Sequence, residues 1–161
     1  MSAIFRKLNL KGDGSVHVVD APASFEPELA GVGETNPVER SLDGVTGATF
    51  AMAFATRQHE VDAFADAVAR ATEGDAIVWI AYPKASSKRY TCEFNRDSGW
   101  ASMGAAGFEP VRQVAIDEDW SALRFRRVEY IKNLTRSSAA TEQGRARLRA
   151  KPAAPATGEA E

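Results

Sequence analysis

Six apolar residues in succession, Ile77-Val-Trp-Ile-Ala-Tyr82, leave no polar face for water. A strand there must be covered on both sides, so it belongs in the interior of a layered α/β sheet. Upstream, Thr49 to Ala55 alternates by size, with Phe50, Met52 and Phe54 on one side and Ala51, Ala53 and Ala55 on the other, which predicts a strand whose alanine face is approached closely. Between these two, Gln58 to Glu73 carries Val61, Phe64, Ala65, Val68 and Ala71 at steps of three and four, the period of an amphipathic helix, which Gly74 is expected to end. Strand, helix and strand make a right-handed crossover unit.

The flanking pattern extends the sheet. Val16 to Asp20, after the turn-forming Gly12-Asp-Gly14, reads as the first strand. Ala21 to Leu29 turns into a short helix with Ser24 as its N-cap, and Val38 to Leu42 is a weak edge strand that could pair with a second copy. Asp97 is placed to cap a helix through Trp100 and Met103 that stops at Gly107. Phe108 to Ile116 and Ala122 to Glu129 are joined by too few residues for a parallel crossover, so they pair as an antiparallel hairpin. The prediction is a three-layer α/β domain over residues 1–135, mostly parallel, with a C-terminal antiparallel hairpin.

Composition adds a boundary. The 161 residues, 44% hydrophobic and 26% charged, suffice for one core without metals or disulfides. From Arg136 onward there are five basic and three acidic side chains and one large aliphatic residue, Leu148. Burial there cannot offset chain entropy, so residues 136–161 are expected to be a disordered, basic, Ala- and Pro-rich tail. The net charge of −2 argues against general nucleic-acid binding. A single cysteine, Cys92, no signal-like leader and no membrane-length apolar run make a cytoplasmic protein the expectation.

Loops leaving the carboxyl ends of such strands gather on one edge. The candidate ligand-binding residues on it are Tyr82, Lys84, Lys88, Arg89, Asp117, Asp119 and Trp120. Lys84, Lys88 and Arg89, with Ser86 and Ser87 beside them, could hold a phosphate or carboxylate, although the run lacks the glycines of a P-loop; a solvated loop is the plainer account. Asp117, Glu118 and Asp119 gather three carboxylates, but tight turns select Asp for its bonds to the backbone. Trp120 packs over the hairpin end or stacks on a ligand. His59 and Cys92 have no partners at metal-ligand spacing, so no metal is expected. Arg124 and Arg126 share a face of the return strand, and Arg112 on its partner completes a basic stripe; pairing with Glu109 or Glu129 is the simpler account.

Parallel strands with alternating helices, finished by a strand that opens at Gly107-Phe108 and an antiparallel return, resemble the Rossmann-like methyltransferase architecture with parts missing. Residues 7–130 resemble a bacterial family of methyltransferase-like proteins without an established activity, through Asp20-Ala-Pro22, Trp79-Ile-Ala-Tyr-Pro-Lys84, Gly107-Phe-Glu-Pro110 and Ala115-Ile-Asp-Glu-Asp-Trp-Ser-Ala-Leu-Arg-Phe-Arg126. In the enzymes resembled, a glycine-rich turn after the first strand lets the backbone approach S-adenosylmethionine. Here that turn is Asp20-Ala-Pro-Ala-Ser24, in which Pro22 fixes φ and removes a donor. The resemblance therefore implies the fold and argues against the cofactor, so none is expected. Glu39 falls near the place of a ribose-binding acid. The function expected is a non-catalytic domain that binds a small anionic molecule or a protein partner at the strand-end edge. One alternative is a divergent S-adenosylmethionine-dependent transferase, with Lys84 holding an anionic group and Asp117 or Asp119 as base. The other is a nucleic-acid accessory protein using the Arg stripe and the tail.

Overall fold

A computed structural model describes residues 2–131; the tail expected from residue 136 lies outside them. The chain runs α1 (Ala3–Lys7), β1 (Val16–Val19), a 3₁₀ turn (Ala23–Phe25), α2 (Glu26–Val32), β2 (Val38–Glu39), β3 (Ala48–Phe54), α3 (Gln58–Ala71), β4 (Thr72–Pro83), α4 (Ala101–Ala105), β5 (Phe108–Ala115) and β6 (Trp120–Arg127). One six-stranded sheet has the order β2-β1-β3-β4-β6-β5. β2, β1, β3 and β4 pair in parallel, and β6 inserts antiparallel between β4 and β5. The three-layer α/β architecture and its hairpin are those the pattern predicts.

Two cores follow from the strand alternation. Phe50, Met52 and Phe54 pack with Trp79, Phe5, Leu8, Phe25 and Leu29 beneath α1 and α2. Ala51, Ala53 and Ala55 face Val61, Phe64, Ala65 and Val68 of α3, and the absence of bulk on those alanines lets the helix lie close. Burying each large side chain contributes roughly 1.5–3 kcal/mol, so the phenylalanine and tryptophan positions dominate.

Several boundaries differ from expectation. α3 stops at Ala71, three residues before Gly74, and Thr72 Oγ1 donates back to the Val68 carbonyl at 2.7 Å. Gly74 instead sits inside β4 at φ 67°, where the stretch between Thr72 and Ile77 bulges out of the β3 ladder. Positive φ suits glycine because it has no Cβ. Ser24 makes no side-chain cap, since a 3₁₀ turn precedes α2. Asp97 does not cap a helix either: Asn95 Oδ1 accepts from its N–H at 2.8 Å in a tight turn, and α4 begins after Trp100. α1 was not foreseen. It seats the chain so that Leu8 offers its carbonyl to the Trp79 indole at 2.9 Å. No described helix is long and apolar enough to cross a membrane.

Candidate functional site

β1 lies between β2 and β3, and the connections from its neighbours leave it on opposite sides, which opens a crevice at the carboxyl ends. A cleft of about 570 Å³ occupies that position, lined by Val19 and Asp20 at the end of β1, residues 40–43 after β2, Ala53 and Phe54 of β3, and one side of α3 from His59 to Arg70. Its volume is within the range of small-molecule sites. Asp20 holds a left-handed φ of 60°, uncommon for a residue with a Cβ, and so turns the chain sharply at the rim.

The charges lining this cleft divide into used and unused. Arg40 donates to both carboxylate oxygens of Glu26 at 2.7 and 2.8 Å, and Arg70 to Asp66 at 2.7 Å. Glu60 Oε1 accepts from the N–H groups of Thr56 and Arg57 at 2.8 and 3.0 Å, closing the first turn of α3. Burial pushes the Glu60 carboxyl up, but these donors together hold it below its ordinary value. Asp20 and Asp43 line the same cleft with no described side-chain partner, His59 lines it beside the Glu60 carboxylate, and Leu42 and Phe64 supply buried apolar wall. With its cations neutralised by their own acids, the lining suits a ligand that carries a positive centre and hydroxyl groups.

A second hollow, of about 650 Å³, opens beyond the end of β4. The Lys84 N–H donates to the Asp119 carbonyl at 2.8 Å, and Ser87 Oγ donates to Asp119 Oδ1 at 2.9 Å. The basic loop and the acidic turn therefore meet, as the sheet topology requires. Lys84 and Tyr82 line this hollow, together with Ser87, Cys92, Arg96 and Gln113. The other candidates have structural occupations. Asp117 Oδ1 accepts from the N–H groups of Asp119 and Trp120 at 2.8 and 2.9 Å, the Asx turn that tight bends favour. Trp120 is buried, with Phe54 and Tyr90 against its ring at centroid distances of 5.1 and 4.8 Å, so it offers a ligand no open face. Lys88 and Arg89 are exposed and do not line the hollow; Arg89 Nε lies 3.9 Å from Asp119 Oδ2.

Tyr82 is a wall residue of this hollow. Its hydroxyl accepts from Gln113 Nε2 at 3.0 Å, its ring meets Phe94 and Trp100, and burial raises its pKa above the phenolic norm. Burial likewise raises the Cys92 thiol, which disfavours the nucleophilic thiolate. Arg96 and Gln113 were not expected at the site. Neither stands in a motif, and only the path of the loop from residue 84 to 97 and the register of β5 bring them there.

No protein-family model matches the chain, and no curated protein matches it by sequence. Solved structures do. A SAM-dependent methyltransferase from Aquifex aeolicus is similar over 78% of this chain and 88% of its own, with a TM-score of 0.53 and 13% identity. The chain shares the Rossmann-like methyltransferase fold. A putative type 11 methyltransferase from Sulfolobus solfataricus is similar over 77% of this chain and 76% of its own, with a TM-score of 0.47 and 10% identity.

The expectation of a fold without a cofactor is corrected by the likeness to the Aquifex aeolicus protein, which is described as SAM-dependent. Pro22 is not among the residues lining the cleft; it precedes the 3₁₀ turn with an ordinary extended backbone, and the chain turns at Asp20 instead. Glu39, at the end of β2, does not line the cleft either, and Ser41 and Asp43 beyond it do.

Proposed function

We propose that this domain is a divergent S-adenosylmethionine-binding transferase that holds its cofactor in the cleft at the β1 and β3 ends and a small anionic acceptor in the hollow beyond β4. The observation that carries it is the carboxylates of Asp20 and Asp43, without side-chain partners among the described residues, in a cleft whose arginines already have partners. Asp43 and Ser41 would accept from ribose hydroxyls, Asp20 would face the cationic end of the ligand, and Leu42 and Phe64 would exclude water from it. S-adenosylmethionine supplies, when bound, a methyl group activated by a sulfonium. In the second hollow, Lys84 and Arg96 are the two cations that would hold an anionic acceptor, in a lining that also carries Glu93 and Asp97. Transfer of this kind rests chiefly on placing two reactants in line, which needs positioning more than a dedicated base.

Isothermal titration calorimetry of the full chain with S-adenosylmethionine and S-adenosylhomocysteine tests this. Saturable binding is expected, tighter for the sulfonium than for the uncharged thioether, and about tenfold weaker in Asp43→Asn. An absence of saturable binding to either compound at millimolar concentration contradicts it.

A further inference from the structure

Arg112 on β5 and Arg124 on β6 are a directly opposed cross-strand pair. Two like charges so placed repel one another and destabilise a hairpin. Arg124 lies on the face of the sheet that holds Trp79, its register partner on β4, and alternates with Leu123 and Phe125, which enter the core on the α3 side. Its Nε is sealed from water and finds no acceptor among the described residues, which leaves a buried donor unsatisfied. Burial, then the repulsion of Arg126, lowers its pKa from the usual guanidinium range; Asp75 opposes that shift and Arg112 adds to it. The neighbouring cation is provided for: Arg126 clamps Asp75 through two bonds of 2.8 and 2.7 Å. Glu109, opposite Arg126 one step along the ladder, is buried. Arg112 is exposed and in no described ion pair. Two arginines thus oppose each other in the ladder, and the one carboxylate described as acting on Arg124, Asp75, is already clamped by Arg126.

We infer that Arg112 and Arg124 form an oxyanion site on the hairpin, separate from the strand-end cleft, that takes the terminal phosphate of a small phosphorylated molecule. Charge selects the ligand class: a carboxylate would leave one of the two guanidinium groups unmatched, whereas a phosphate monoester carries about −1.5 to −2 near neutral pH and offers three acceptor oxygens. Planar guanidinium groups match such an anion with paired donors.

The test is thermal melting of the full chain at constant ionic strength with inorganic phosphate, phenyl phosphate or acetate, with the buried Arg124 Nε–H followed by NMR. Both phosphates should raise the melting temperature and shift the Arg124 resonance saturably, with acetate about tenfold weaker. Arg112→Gln, at an exposed position, should abolish the phosphate response and, in phosphate-free buffer, melt above the parent chain because the repulsion is gone. The inference is overturned if the phosphate response is unchanged in Arg112→Gln, or if that variant melts below the parent in phosphate-free buffer. A response to inorganic phosphate without one to the ester overturns the ligand class.

Discussion

Lys84 donates its backbone N–H to the carbonyl of Asp119 at 2.8 Å, and the carboxylate of the same aspartate receives Ser87 Oγ at 2.9 Å. Ser87 Oγ in turn accepts from the N–H groups of Arg89 and Tyr90 at 3.3 and 3.2 Å. One acidic side chain from the β5–β6 turn therefore ties down the start of the loop after β4, residues 87–90, which borders the second hollow.

Asp119→Ala should consequently loosen this loop while leaving the sheet intact. A loss of about 1–2 kcal/mol is expected in urea unfolding, with faster amide hydrogen exchange at Arg89 and Tyr90 and unchanged exchange in β3. Equal protection at Arg89 and Tyr90 in the variant would show that Asp119 does not hold the loop.

The Asp75–Arg126 pair makes stability depend on pH. The hydrogen bonds from Arg126 hold the Asp75 carboxyl below its ordinary value of 3.8. A group depressed in the folded state stabilises fully above its unfolded pKa, and that contribution fades as pH falls from about 4 through the folded value. The pair is more than a third exposed, so solvent screening leaves it roughly 0.5–1 kcal/mol. Asp75→Asn should cost this amount at pH 7 and nearly nothing at the acid end; a pH-independent difference would assign the loss to something other than the charge.

Gly99 has a φ of 97°, and a Cβ there would stand 2.5 Å from Phe94 Cβ and 2.9 Å from Gln58 Oε1. Its carbonyl accepts from Gln58 Nε2 at 2.8 Å, tying the loop before α4 to the start of α3. Gly99→Ala should destabilise by about 1–3 kcal/mol and disturb the Phe94–Trp100 contact, which near-ultraviolet circular dichroism reads. A variant as stable as the parent, with the same aromatic spectrum, would contradict this.

The elements legible in the sequence were those with enough turns of a period to count. β3 announced both its faces through the contrast of phenylalanine with alanine, and α3 carried five core positions. The hairpin followed from the shortness of its connection. α1 spans five residues, too few for a helical period to register; α4 was legible through Trp100 and Met103 but begins after Trp100 rather than at Asp97; and the bulge at Gly74 depends on strand pairing rather than local pattern. The site divides the same way. That Lys84 and the acidic turn share a rim followed from topology. The cleft at β1 did not, because it draws on residues 40–43 and on α3, and because the restriction at Pro22 was inferred without knowing that the chain bends earlier, at Asp20.

The most direct test of the account is a crystal structure of the full chain grown with S-adenosylmethionine. The ligand is expected between the ends of β1 and β3, with its ribose against Asp43. Electron density for it only in the hollow beside Lys84, or in neither place, would contradict the assignment of the cleft.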